Sequence, residues 1–85
     1  MKALFVVALL AVSGSSFAGP TCNEPEDKWM SEEALKAKAV AAGYKYERFK
    51  VTKGNCYEIY GTKGDKRAEV YFNPRTGEVL QEELK

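Results

Sequence analysis

Hydrophobic positions along the chain follow three different spacings in turn. The first is continuous: after Met1 and Lys2, the ten residues from Ala3 to Val12 are all apolar. A small polar stretch, Ser13-Gly14-Ser15-Ser16-Phe17-Ala18, closes that run. The second spacing is helical. Leu35, Ala39 and Ala42 recur at i, i+4 and i+7 within Ser31–Gly43. Ser31 is a good N-cap, and Glu32 and Glu33 fall in the first turn, where the helix dipole favours negative charge. Met30 and Leu35 match a hydrophobic staple, and Gly43 supplies the C-terminal stop. The apolar stripe is narrow and small, which suits close packing on a sheet better than a membrane surface.

After Gly43 the spacing drops to two. Tyr44–Thr52, Cys56–Thr62, Arg67–Asn73 and the short Glu78-Val79-Leu80 read as strands. Lys53-Gly54-Asn55, Gly64-Asp65 and Pro74-Arg75-Thr76-Gly77 stand between them as turns. The predicted fold class is therefore α+β: one N-terminal helix packed on a three- to four-stranded antiparallel meander.

The pattern also fixes a register. A two-residue Gly64-Asp65 turn sets Ile59 opposite Val70 and Tyr57 opposite Phe72, all on one face. In the first hairpin a two-residue loop fails, because it sets Lys50 against Ile59. A three-residue Lys53-Gly54-Asn55 loop, of the kind that often carries a bulge with a left-handed residue, places Val51 with Tyr57 and Phe49 with Ile59. The expected core face is Phe49, Val51, Tyr57, Ile59, Val70, Phe72 and Val79. The opposite face then carries Tyr46, Arg48, Lys50, Glu58, Tyr60, Arg67, Glu69 and Tyr71. That face reads either as a solvated surface of cross-strand charge pairs or as a recognition surface, since Tyr beside Arg is hot-spot composition. Cys56 falls on the same outer face, so the residues before the helix must reach around the sheet or the bulge must turn the cysteine.

The opening apolar run changes the arithmetic. One positive charge, a ten-residue apolar stretch, and Ser16 and Ala18 at −3 and −1 form a secretory signal over residues 1–18. As a helix that stretch spans about 15 Å, roughly half a bilayer core, so a membrane anchor is disfavoured. Residues 19–30 are then an extended lead-in with Pro20 and Pro25, and 31–85 a single domain. Removing Lys2 with the signal balances the remaining charges at 12 of each sign, from 13 Lys+Arg and 12 Asp+Glu in the whole chain. A small domain of this size is marginal without a staple. Cys22 and Cys56 are the only cysteines, and export puts them in an oxidising compartment. Their bridge would close a loop of about 34 residues and contribute roughly 3–4 kcal/mol. The long spacing argues against a redox pair.

Chemistry narrows the function further. The chain has no His, which removes imidazole bases, Cys-His and Ser-His pairs and His-bearing zinc sites. A neutral balance is no footprint for nucleic acid. Glu58 and Glu69 are carboxylates on an expected open surface, without the burial that would tune them for acid–base work. No loop has the spaced ligands of a calcium site, and no cofactor is expected.

The run Cys22…Pro25…Trp29, a helix ending in Ala42-Gly43-Tyr44, Gly54-Asn55-Cys56-Tyr57-Glu58, and Arg67-Ala68-Glu69-Val70-Tyr71-Phe72-Asn73-Pro74-Arg75-Thr76-Gly77-Glu78-Val79 resembles small periplasmic PepSY-domain proteins. Members often have Asp where Asn73 stands. The resemblance implies a helix against an antiparallel sheet. PepSY domains occur in propeptides of thermolysin-type metallopeptidases, in membrane proteins and as exported modules, and are regarded as binding or inhibitory. No catalytic residue set travels with the family. The expectation is an exported, periplasmic or secreted, non-enzymatic module that binds another envelope protein or a peptidase, without stable membrane insertion after signal cleavage. The alternatives are a passive structural domain of the envelope and, behind it, a weak metal or small-ligand carrier.

Overall fold

The computed structural model describes residues 19–85; the expected signal at 1–18 lies outside the described residues. A 3₁₀ turn at Glu26–Lys28 precedes helix α1 (Glu32–Ala41). Four strands follow: β1 (Tyr44–Val51), β2 (Tyr57–Lys63), β3 (Lys66–Phe72) and β4 (Val79–Leu84). They form one antiparallel sheet in the order β1-β2-β3-β4, so each strand pairs with its neighbour in sequence. Among the described residues, no helix is long and apolar enough to cross a membrane.

The helix begins where its capping residues dictate. Ser31 Oγ accepts the Ala34 N–H at 3.1 Å, and Glu32 and Glu33 occupy the first turn. Gly43 follows the last turn at φ 100°, a conformation that side chains with a Cβ resist. Leu35 and Ala39 are fully buried, whereas Ala42, expected on the same stripe, is exposed. Ala42 is the C-cap, and there the chain is already turning away from the sheet.

The second hairpin has the register that the alternation implies, and the first has it from Val51 back to Arg48. Phe49 pairs with Ile59 and Val51 with Tyr57. Ile59 pairs with Val70 and Tyr57 with Phe72. Gly64 takes φ 64° in the second turn. In the first loop the left-handed residue is Asn55, also at φ 64°. Asn tolerates that region better than most side chains.

The core comprises Leu35, Ala39, Tyr44, Tyr57, Ile59, Ala68, Val70 and Phe72, with Trp29, Met30, Tyr46 and Phe49 packed against it. Of the expected core residues Phe49 is partly buried and two are exposed: Val51 by 47% and Val79 by 42%. Both stand on edge strands, where no further strand among the described residues flanks them. A ten-residue helix is about 15 Å long and does not shelter both margins.

Tyr46 corrects the expected face assignment. The β1–β2 register shifts between Tyr46 and Arg48, leaving Glu47 in a bulge. One extra residue flips parity. Tyr44 and Tyr46 therefore lie on the helix side, with the Tyr46 hydroxyl donating to Glu32 of α1 at 2.9 Å. Gly61 is the residue opposite Tyr46. A Cβ on Gly61 would collide with the Lys45 carbonyl, so the bulge and the glycine require each other.

Cys22 and Cys56 form a disulfide, with Cα atoms 5.2 Å apart. The lead-in does reach around the sheet. It starts over the outer face, where Gly19 lies against the Tyr71 ring, and passes Gly54 with Cys22 N–H donating to the Gly54 carbonyl at 2.8 Å. It then arrives on the helix side. There the Tyr57 hydroxyl donates to the Met30 carbonyl at 2.6 Å, and Met30 N–H donates to the Pro74 carbonyl at 2.8 Å.

Candidate functional site

The outer face of the sheet holds seven of the eight residues expected there. Ladder pairing sets Arg48 beside Tyr60, Lys50 beside Glu58, Glu58 beside Tyr71, Tyr60 beside Glu69, and Thr62 beside Arg67. Tyr46 is the exception, for the reason given above.

Within that face two zones differ. The zone under the lead-in is closed. Glu58 is 2% exposed and Tyr71 8% exposed. Glu58 is thus not the open carboxylate that alternation suggests. One of its oxygens faces Lys50 Nζ at 4.0 Å, and Oε2 has no hydrogen-bonding partner among the described residues. Burial, then the Glu58 charge, pushes the Tyr71 hydroxyl up to about 12 from an ordinary value near 10.

The zone along β1 and its loop is open. The Arg48 guanidinium lies over the Tyr60 ring, 4.5 Å from its centroid. Such stacking holds a flexible cation in place while leaving its N–H groups available. Lys50, Val51, Thr52, Lys53 and Tyr60 line a shallow groove of about 360 Å³ that borders the closed zone at the nearly buried Glu58 and Tyr71. At the far end of the face charges are paired. Arg67 meets Glu47 at 3.8 Å, and Lys85 meets Glu69 at 3.4 Å. The bulge at Glu47 thus supplies the partner of Arg67.

Two polar clusters lie elsewhere. On the helix side the Tyr44 hydroxyl donates to Glu82 of β4, and Lys63 joins them, 3.4 Å from Glu82 and 4.8 Å from the Tyr44 ring centroid. Burial, then the Glu82 hydrogen bond, pushes Tyr44 up to about 12. The same hydrogen bond holds the Glu82 carboxyl below its usual range. At the end of the sheet Glu24 accepts from Asn73 Nδ2 at 3.0 Å and Arg75 Nε at 2.7 Å, which holds its carboxyl low. Asn73 Oδ1 meanwhile accepts the N–H groups of Arg75 and Thr76, shaping the β3–β4 turn. Neither cluster is visible in sequence spacing, since each joins residues nearly forty or more positions apart. Gly61 inside a strand was the one available sign of the bulge that moves Tyr44 and Tyr46.

Among the described residues no group of three or more His, Cys, Asp or Glu side chains is placed to hold a metal ion. The arrangement offers recognition chemistry: a stacked guanidinium, ammonium groups and aromatic surface on a rigid sheet.

A family model described as "Peptidase propeptide and YPEB domain" matches residues 2–83, nearly the whole chain. No curated protein and no solved structure matches it.

Proposed function

We propose that this chain, which belongs to the peptidase propeptide and YPEB domain family, is a non-catalytic binding module that engages an envelope protein through the open zone of its outer sheet face. The partner we favour is a peptidase whose activity falls on binding, encountered in the periplasm or outside the cell. The observation that carries this reading is Arg48 stacked on Tyr60 beside the open groove. A guanidinium held by an aromatic ring on a sheet loses little freedom on meeting a partner, and Arg and Tyr dominate interface energetics. Family membership supports the same role, because the family is described by its peptidase propeptides, which accompany a peptidase.

The test is photo-cross-linking in intact cells. A benzophenone side chain replaces Tyr60 in one variant and Val40, exposed on α1, in a second. A discrete adduct from position 60 alone, lost when Arg48→Glu is added, is expected. Identical adducts from both positions, or none that depends on Arg48, would refute the reading.

A further inference from the structure

We propose that the free edge of β1 is the docking strand, and that it takes an extended acidic segment of the partner protein, added antiparallel with carboxylates facing Arg48 and Lys50. This rests on the binding-module reading and adds the chemistry of what is bound.

Backbone geometry comes first. Among the described residues β1 is an edge strand, flanked only by β2. Thr52 donates its N–H to the Cys56 carbonyl at 2.9 Å, and one-for-one pairing continues from Val51 with Tyr57 back to Arg48 with Tyr60. In an antiparallel ladder, residues alternate between bonding one neighbour and bonding the other. Counting back from Thr52, Lys50 and Arg48 bond β2. Phe49 and Val51 therefore turn their N–H and C=O groups to the open side. A strand added there bonds Phe49 and Val51. Its residues facing Lys50 and Arg48 form the non-hydrogen-bonded pairs, in which side chains approach most closely. The bulge at Glu47 ends the regular edge, so the docking register is short and fixed.

Side-chain chemistry then selects the segment. Among the described residues Arg48 makes no ion pair, and the one carboxylate within 4.0 Å of Lys50 Nζ is that of the buried Glu58. Both cations lie on the outer face. The intervening positions fall on the helix side, beside Phe49 and the exposed Val51. The complementary pattern is acidic, apolar, acidic, apolar. β4, the other edge, suits the same segment poorly: its regular stretch carries Glu82 and Glu83 where β1 carries Arg48 and Lys50. Nor does the β4 of a second copy fit β1 well. Its Glu82 is already held by Tyr44 and Lys63, and its Glu83 lies 4.0 Å from Lys85. Such a head-to-tail contact would also leave a free edge at each end unless its rotation closed a ring.

The experiment titrates the ¹⁵N-labelled, disulfide-bonded protein with three capped peptides: Thr-Glu-Val-Glu-Val-Thr, its Gln-for-Glu counterpart, and the Glu peptide N-methylated at alternate residues. The largest amide shifts are expected at Phe49 and Val51. Binding of the Glu peptide should be about tenfold tighter than the Gln peptide at low salt, and should converge with it as salt rises. Arg48→Glu with Lys50→Glu should remove that preference while the β2–β3 amide spectrum stays native. N-methylation should abolish binding. A Gln peptide or an N-methyl peptide that binds as tightly as the Glu peptide at low salt, shifts centred on β4 or α1, or self-association of the protein through β1 would each overturn the proposal. Failure of the Glu peptide alongside an Arg48-dependent adduct from position 60 would remove the edge-strand mode and leave the outer-face reading intact.

Discussion

Tyr44 and Tyr71 sit on opposite faces of the sheet, yet both are buried and both meet a glutamate. On the helix side, Tyr44 reaches from β1 to Glu82 on β4, joining the two edges of the sheet by one hydrogen bond. On the outer side, Tyr71 lies beside Glu58 under Gly19. In each case the neutral phenol is favoured and its pKa is pushed up to about 12. The consequence for stability has a definite sign. An unfolded tyrosine ionises near pH 10. With the folded value raised, the unfolded chain releases protons first as pH climbs. Stability is therefore intact below pH 10 and declines between about pH 10 and pH 12. Urea titrations at pH 9 and pH 11 should show a marked loss for the native protein. Tyr44→Phe should be less stable at pH 9, by about 1 kcal/mol for the lost hydrogen bond. It should also show a smaller further loss at pH 11. An unchanged pH slope in both Tyr44→Phe and Tyr71→Phe would show that these phenols do not set the alkaline limit.

At the scale of elements, the bulge in β1 decides which side chains go where. Without it Tyr46 would join Arg48 on the outer face. With it, Tyr46 caps the start of α1 through Glu32 and Glu47 becomes available to Arg67. Gly61→Ala tests this directly. Its Cβ would run into the Lys45 carbonyl, so β1 must shift or the bulge must close. The cost expected from such overpacking is about 1–3 kcal/mol. The Tyr46–Glu32 contact should weaken, read as loss of helix protection in amide exchange. The Asn73 turn offers a second test. Asn73→Asp keeps the acceptor for the turn N–H groups but loses the donor to Glu24 and places two carboxylates together. The Asn73 and Arg75 contacts hold Glu24 below its ordinary carboxyl value, so their stabilisation is present above that range and fades as the folded group is protonated. The Asp variant should therefore melt lower than native at pH 7, with the gap narrowing in acid.

These elements also show what could be read from sequence. Helix limits, turns, the β2–β3 register and the β1–β2 register as far as Arg48 followed from capping residues, glycines and alternation, because those signals are local. The Tyr46 side did not, because a bulge is set by a clash between strands and only Gly61 hints at it. Burial of Glu58 and exposure of Val51 were equally out of reach. The first depends on a lead-in more than thirty residues upstream, and the second on how far a short helix extends.

For the whole molecule, the disulfide does more than shorten the unfolded chain. Cys22 is the point at which the lead-in turns from the outer face to the end of the sheet. On one side of it Gly19 covers Tyr71. On the other, the Trp29 indole donates to the Glu24 carbonyl at 2.9 Å, and Glu24 clamps Asn73 and Arg75. Replacing Cys22 and Cys56 together by Ser should cost about 2–5 kcal/mol. The distribution of that loss distinguishes a simple loop-closure effect from release of the lead-in. Pure loop closure destabilises the fold uniformly and leaves native exposure unchanged. Release uncovers Tyr71 and Glu58 and makes residues 19–24 the first to be cut by protease, while the Met30–Pro74 and Met30–Tyr57 bonds still hold the helix entry. Under conditions where the double Ser variant remains folded, Tyr71 should ionise at lower pH than in the native protein, because both burial and the enclosed Glu58 charge act on it. Tyr44, remote on the helix side, should keep its elevated value. Ultraviolet titration of the variant in Tyr44→Phe and Tyr71→Phe backgrounds separates the two phenols. Equal shifts in both would mean that the sheet as a whole had loosened, and the lead-in would lose its role as a cover for the outer face.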